Sequence, residues 1–456
     1  PRYSLQVVDV ILLNKALRLG AAPQVAFVGS GGKTAALFAL ARLFENPVLV
    51  STSTHISVSQ ADQADQHLII KQPSDLGQLD AARLPAVTVL TGEKKRDGRQ
   101  AGMDEGVLSA MSNFAQEHKL PLLIEADGAR LRSLKAPAWH EPAIPPFVDT
   151  VVVVAGLSAL GHTIGEEYIH RPERFAQLSG QKLGDLVDSS VLARVLLHPE
   201  GGLKNIPPQA RRVVLLNQAD SAEMEGAAHK LSARLLSAFD AVLVTALQRS
   251  PQVLAVHEPV AGILLAAGSS LRLGRPKQLL DWKGTPFVRQ VAATALAAGL
   301  NPVVVVTGSE AEKVEAALTG LDVHIQRNPD WAQGQSSSVK AGLAALPENA
   351  GAALFLVVDQ PQLPVALIEA LCAEHAANLA PIVAPQVDGQ RSNPVLFDRN
   401  TFADFITLQG DVGGRAIFSR HPVVWLPWLD ASIAIDVDKP EDYDRLLQVS
   451  GQSGSR

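Results

Sequence analysis

The 456-residue chain is 47% hydrophobic, 19% charged and 5% aromatic, a composition that can bury a large core and excludes intrinsic disorder. Its 40 Lys and Arg against 46 Asp and Glu leave a formal charge of −6, which excludes a nucleic-acid backbone as the main partner. The single cysteine, Cys372, excludes an internal disulfide framework and Cys-cluster metal sites, and points to a reducing, cytoplasmic setting.

Residues 1–20 carry Arg2, Asp9, Lys15 and Arg18 among apolar positions, so no secretory leader is expected there, and no uncharged apolar run has the length of a membrane span. Short β-branched runs predict strands at 24–28, 47–51, 87–90, 122–125, 150–155, 212–216 and 241–245, each followed by a turn and an Ala/Leu-rich stretch of helical period. That rhythm predicts an α/β fold. The stretch 248–259 holds two prolines and no period, and a fresh strand and glycine loop follow it, so a domain boundary is expected near residue 255. Strands are then predicted at 260–265, 302–307, 323–326, 352–358, 381–385 and 432–437. The expected organisation is two α/β domains, 1–255 and 256–456.

The first glycine loop, Val25-Ala-Phe-Val-Gly-Ser-Gly-Gly-Lys-Thr34, joins a strand to a Lys-Thr pair that opens an Ala-rich helix. Backbone N–H groups in such a loop cradle phosphates, which makes Gly29, Gly31, Gly32, Lys33 and Thr34 a candidate P-loop-like nucleotide site. Thr34 would touch Mg²⁺, and ATP or GTP would be the nucleotide. Phe27 stands where the Walker pattern has its first glycine, so the loop is closer to the shorter Gly-x-x-Gly-Lys-Thr loop of Mur ligases. A tight βα turn is the alternative. Leu122-Leu-Ile-Glu-Ala-Asp-Gly128 ends an apolar strand in two carboxylates, Glu125 and Asp127, either of which could serve the metal; Asp127 is taken as the candidate. Leu215-Leu-Asn-Gln-Ala-Asp220 resembles the Asn-Lys-x-Asp motif of GTPases, but Gln218 replaces the lysine and leaves the base open.

In the second half, Gly268 and Gly274 permit close approach of a phosphate, and Arg272 and Lys277 would neutralise its oxygens. The run Leu265-Ala-Ala-Gly-Ser-Ser-x-Arg-x-Gly-x-Pro-Lys-Gln-Leu-Leu280 resembles the MobA-like nucleotidyltransferases, in particular the molybdenum cofactor cytidylyltransferase branch. The resemblance continues through Asn328 with Gly334-Gln-Ser-Ser-Ser338, Val357-Val-Asp-Gln-Pro361, Arg391-Ser-Asn-Pro394, Gly410-Asp-Val-Gly-Gly-Arg415 and Asp436-Val-Asp-Lys-Pro-Glu-Asp-Tyr443.

The resemblance implies a Rossmann-like nucleotidyltransferase domain with CTP and molybdopterin as substrates and Mg²⁺ as cofactor. Nucleotide contacts would come from Leu265, Ala266, Ala267, Gly268, Gly274, Ser336 and Ser337, and Ala267, where the guanylyl branch has glycine, favours cytidine. Arg272, Lys277 and Asp359 would be catalytic. Asp359 ends an apolar run, where a carboxylate can hold Mg²⁺, and Asp436 is favoured over Asp438 as its companion because Asp438 could cap the next helix. Arg391, Asn393 and Arg415 would face the anionic pterin substrate.

The first half resembles the YqeC family, linked to maturation of selenium-dependent molybdenum hydroxylases. The resemblance lies in Gly29 to Thr34, Thr52-Ser-Thr-His55, Glu125-Ala-Asp-Gly-Ala-Arg130, Lys135-Ala-Pro137, His140-Glu-Pro142, Gly156 to Gly161 and His170-Arg-Pro-Glu173. His55, His140 and His170 could meet around a metal or selenium species. Together the two resemblances imply a cytidylyltransferase fused to a nucleotide-binding maturation factor, with molybdenum cofactor and an apo hydroxylase of the xanthine dehydrogenase family as partners. A nucleotidyltransferase for sugar phosphates and a non-catalytic cofactor chaperone are the competing readings.

Overall fold

The computed structural model describes residues 10–96, 99–270 and 273–452. The chain divides into two compact units, Asp9–His257 and a second beginning at Glu258.

The first unit is built on nine strands: β1 (Gln24–Gly29), β2 (Val48–Thr52), β3 (Gln66–Ile69), β4 (Val87–Thr91), β5 (Leu122–Glu125), β6 (Thr150–Gly156), β7 (Arg211–Asn217), β8 (Ala241–Thr245) and β9 (Val253–His257). They lie in the order β9-β8-β7-β6-β1-β5-β2-β4-β3. All neighbours are parallel except β9, which runs antiparallel to β8. A parallel sheet is covered on both faces, and this is why β6 is valine-rich and buried at every position. Helix α1 (Lys33–Ala41) follows β1, α2 (Glu105–Glu117) starts on an Asp104 side chain that accepts the Val107 N–H, and α3 (Ala222–Leu235) starts on Ser221 in the same way.

β1 lies between β6 and β5, so the chain leaves the sheet in opposite directions on its two sides. Such a reversal opens a crevice at the carboxyl ends of the strands. The glycine loop after β1 lies there, with Glu125, Gly156 and Asn217 at the ends of β5, β6 and β7. The 248–259 stretch, expected to be irregular, instead holds β9. Pro251 and Pro259 bracket an apolar segment that closes the sheet edge, where an antiparallel strand needs no crossover helix.

The second unit has β10 (Val260–Ala266), β11 (Val303–Thr307), β12 (His324–Arg327), β13 (Ala352–Val357), β14 (Ile382–Val387), β15 (Gln390–Arg391), β16 (Val395–Asp398) and β17 (Val423–Pro427). The order is β12-β11-β10-β13-β16-β14-β15, with β17 beside β14. β10 to β13 are parallel, β16 is antiparallel to both its neighbours, and β17 is parallel to β14. Alternate residues of each central strand enter two separate apolar clusters, Leu264 and Val305 in one, Ile263 and Val304 in the other. The longer helices of the unit are α4 (Phe287–Ala297), α5 (Gln335–Ala344), α6 (Val365–Asn378) and α7 (Pro440–Gln452), with shorter ones at Ala311–Ala317 and Phe402–Ile406.

The strand expected at 432–437 is absent. Asp430 accepts the Ser432 N–H and winds Ala431–Ala434 into a 3₁₀ turn, and the open edge of β14 is already taken by β17. Within the two large sheets, the strands unforeseen in the sequence are β3, β9, β15, β16 and β17. Among the described residues no helix is long and apolar enough to cross a membrane.

Candidate functional sites

In the second unit, the register pairs Leu265 of β10 with Val357 of β13, so the loop after one strand and Asp359 after the other meet at the same end of the sheet. Gln278 holds the loop in shape by donating its amide to the carbonyls of Ala266 (3.0 Å) and Gly268 (2.6 Å), and Ser270 accepts the Lys277 N–H. Gly274 takes φ +71° in the same loop. Lys277 is thereby directed onto Asp359, with which it forms an ion pair, and its ammonium is 3.4 Å from Asp438. Burial alone would lower the Lys277 pKa, but Asp359 and Asp438 outweigh it and hold the ammonium charged.

The remaining oxygen of Asp359, Oδ1, is buried without a hydrogen-bond partner. Asp436 accepts the Gln360 amide at 2.7 Å, and burial together with the Asp359 charge raises its pKa. An orphaned carboxylate oxygen beside a second, repelled carboxylate is a donor set short of positive charge. Asp359 and Asp436 therefore fit a hard divalent cation that shares its remaining positions with substrate phosphates. Asp438 is half engaged by Lys277, while its N–H meets Asp442 at the start of α7.

A cavity of about 420 Å³ opens beside these groups, lined by Leu265, Ala267, Gly268, Lys277, Asp359 and, across the crevice, Trp331, Gln335, Ser338 and Asp411. Of the expected serines, Ser336 and Ser337 line a neighbouring groove of about 650 Å³ instead. Asn328 explains the division, because its amide donates to both Ser337 (2.9 Å) and Ser338 (3.0 Å) and fixes the first turn of α5. The Gly410 loop closes over that turn: Ser336 N–H meets the Gly410 carbonyl, and a Cβ at Gly334 would lie 2.5 Å from Gly410. Arg391 stacks over Phe418 at 4.7 Å, and its pKa is lowered by burial and by neighbouring Arg415. Among the described residues neither arginine has a carboxylate partner. The Arg391–Pro394 segment, which includes Asn393, is tied through Ser392 to the Ile433 carbonyl, which also receives Gln360. Arg272 lies outside the described residues.

In the first unit, Gly29, Gly31 and Gly32 all have positive φ. A Cβ on Gly32, at φ +118°, would lie 2.4 Å from the Asn217 amide, which itself donates to the Gly31 carbonyl at 2.7 Å. Asn217 thus binds the loop to β7, with its own oxygen taken by Thr245 and Leu247. Gln218 turns away to Ser158. The N–H groups of Lys33, Thr34 and Ala35 open α1 and have no acceptor within it, which forms an anion-binding end.

The two carboxylates after β5 part company. Glu125 accepts the Thr34 hydroxyl at 2.8 Å, and burial raises its pKa against the pull of Lys33. Asp127, the residue expected at the metal, is held by Lys33 (3.0 Å), Lys135 (2.7 Å) and the Gly29 N–H (3.0 Å). Lys135 continues to Glu141 (2.8 Å), and Arg171 closes on Glu141 with its two terminal guanidinium nitrogens. Burial would raise the Glu141 pKa, but Arg171 and Lys135 hold it down at about 2. Four separate segments of the sequence thus converge in one chain of alternating charge behind the glycine loop. Lys135, Glu141 and Arg171 stand in the motifs that carry the family resemblance, each one or two positions before a proline, but the sequence assigned them no role and did not foretell that they meet.

The three histidines do not join. His55 contacts Arg99 at 2.6 Å, and His140 lies edge-on to Trp139. Burial and the charges of Arg171 and Lys135 hold His170 neutral, with a pKa of about 4. Among the described residues no three His, Cys, Asp or Glu side chains form a metal-binding group.

Comparison with known proteins gives two family matches: residues 262–424 to the MobA-like NTP transferase domain and residues 25–173 to the YqeC protein family. The chain is 32% identical over 204 residues to the uncharacterized protein YqeC of Escherichia coli (strain K12), covering 44% of this chain and 77% of that protein. It is 36% identical over 200 residues to the nicotine blue oxidoreductase of Paenarthrobacter nicotinovorans, covering 41% of this chain and 96% of that protein. To the molybdenum cofactor guanylyltransferase of Xanthomonas euvesicatoria pv. vesicatoria (strain 85-10) it is 36% identical over 121 residues, covering 26% and 56%.

Proposed function

The chain belongs to the YqeC family through its first unit and to the MobA-like NTP transferase family through its second, and from that premise we propose that it is a molybdenum cofactor cytidylyltransferase fused to a nucleotide-binding maturation factor. The second unit would transfer CMP from CTP to the terminal phosphate of molybdopterin. An oxygen of that phosphate bonds to the α-phosphorus, the bond from the α-phosphorus to the bridging oxygen breaks, and pyrophosphate leaves with that oxygen.

The observation that carries this reading is the Lys277–Asp359–Asp436 cluster with its orphaned Asp359 oxygen at one end of the 420 Å³ cavity. Asp359 and Asp436 would hold Mg²⁺, which when bound would draw charge from the phosphate oxygens. Lys277 would neutralise the triphosphate, and the loop from Leu265 to Gly268 would lie against it. Arg391 and Arg415 would take the anionic group of the pterin substrate. No protein nucleophile is needed, so positioning and charge supply most of the rate.

In the first unit, the open end of α1 with Lys33, Thr34 and Glu125 supports binding of ATP or GTP with Mg²⁺, in the service of the same cofactor or an apo hydroxylase of the xanthine dehydrogenase family. A tether between the two activities raises the effective concentration of the cofactor at its next handler.

The test is pyrophosphate release by the purified protein with Mg²⁺ and molybdopterin, comparing CTP, GTP and ATP, with Asp359→Ala as control. Release with CTP alone, lost in the variant, is the expected result. Equal release with a sugar phosphate in place of molybdopterin would favour the small-alcohol transferase, and none with any nucleotide would favour a cofactor chaperone. The likeness to a protein named an oxidoreductase favours a redox reading second, so reduction of nicotine blue is assayed alongside.

A further inference from the structure

The Thr34 hydroxyl carries one hydrogen and two lone pairs, and two of these three positions are filled. The hydrogen goes to Glu125 Oε2 at 2.8 Å, and one lone pair receives Gln60 Nε2 at 2.7 Å. Gln60 is itself fixed. Its Oε1 accepts the Ser57 N–H at 2.9 Å, and its own N–H returns to Ser57 Oγ at 3.2 Å, the reciprocal cap of the short helix Val58–Ala61. Gln60 can therefore offer Thr34 only an N–H, which forces the Thr34 proton toward Glu125 and leaves a single lone pair directed elsewhere. Gly29, Gly32, Thr34 and Ala35 are the loop positions that are not fully buried, so the remaining lone pair belongs to a hydroxyl that solvent can reach in the first turn of α1.

We infer that Gln60 is a positioning residue for the first nucleotide site: it orients the Thr34 hydroxyl so that its free lone pair meets the divalent cation carried by the nucleotide. The inference rests on the reading of this unit as nucleotide-binding. Nothing in the glycine loop's own sequence encodes this contact. It comes from the short helix after β2, 26 residues further along the chain.

The inference separates the cation-dependent part of affinity from the rest. ATP and GTP are titrated into the full chain by calorimetry, with Mg²⁺ and with excess EDTA, and binding to the first unit is identified as the part that Lys33→Ala removes. Gln60→Ala should lose about tenfold of the affinity gained on adding Mg²⁺ and leave affinity in EDTA within about twofold of wild type. Gln60→Glu should lose at least as much, because a carboxylate cannot donate and would draw the Thr34 proton away from Glu125. Ser57→Ala, which weakens the cap but leaves the amide on Thr34, should keep the Mg²⁺ gain, and Thr34→Ala with Gln60→Ala should be no worse than Thr34→Ala alone. An unchanged Mg²⁺ gain in Gln60→Ala, or equal losses with and without Mg²⁺, would overturn the inference while the nucleotide site stands. Absence of any Lys33-dependent binding in the wild type would overturn both.

Discussion

Lys277 and Asp359 face each other across the crevice between β10 and β13, one carboxylate oxygen on the ammonium and the other, buried, on nothing. The arrangement keeps a charged lysine beside a carboxylate that still has a coordinating position to offer. Lys277→Ala and Asp359→Ala should each lower the rate of pyrophosphate release by about 10²–10³-fold. Stability should fall by only about 1–2 kcal/mol, because water reaches the pair. Steady-state turnover set beside thermal unfolding checks this, and near wild-type turnover in either variant would remove the pair from the chemistry.

Arg391 and Arg415 should act on the second substrate alone. Each alanine variant is expected to raise the KM for molybdopterin about tenfold, the loss of one charge-assisted hydrogen bond, with the KM for CTP unchanged. A matched rise in both constants would place the arginines at the nucleotide.

In the ionic chain behind the first glycine loop, Lys135 is, among the described residues, the one cation that touches both Asp127 and Glu141. Lys135→Met leaves Asp127 and Glu141 buried beside a missing cation, a change that costs about 3–5 kcal/mol. The first unit should lose its cooperative unfolding transition while CTP-dependent release in the second unit persists, as limited proteolysis and the turnover assay would show. Survival of both transitions would mean that Lys33 and Arg171 suffice to hold the two carboxylates.

Gly32→Ala meets two obstacles, a φ of +118° and the Asn217 amide 2.4 Å from the new Cβ. Pairing it with Asn217→Ala should restore part of the loss by removing the collision but not the backbone strain, which costs about 1–3 kcal/mol. Chemical denaturation of the single and double variants gives the coupling, and full restoration would assign the whole effect to the side chain.

His257 on β9 has a pKa lowered to about 4 by burial and by the charge of His229, to which it is bonded at 2.7 Å. Between the unfolded value of about 6.5 and the folded one, the unfolded chain binds the extra proton, so stability falls as pH drops through that window and is fully present above it. Amide exchange along β8 and β9 should quicken from pH 6.5 to pH 4, and His257→Gln should flatten the dependence. A slope unchanged in that variant would shift the cause to other groups such as His170.

Central strands were legible because a strand buried on both faces reads as a continuous apolar run, as in β6 and β13. Others were not. β3 has an exposed residue at each end and half-buried ones between, and β16 follows β14 and β15 in antiparallel steps, where no crossover helix marks the spacing. The same divide holds at the sites. Gly29 to Thr34, and Leu265 to Lys277, are contiguous and carry their chemistry in their order. Lys135, Glu141, Arg171 and Gln60 acquire theirs only when distant segments close, and the split between Ser337 and Ser338 depends on where Asn328 points.

The division of the chain after His257 also sets an order in time. Every strand of the first sheet has been synthesised by that residue, whereas the second site needs Asp436 and the Gly410 loop from the far end of its own unit. At about 5–20 residues per second, translation separates the two by roughly 10–40 s. On the ribosome, the first unit can therefore fold while the second site has yet to be completed.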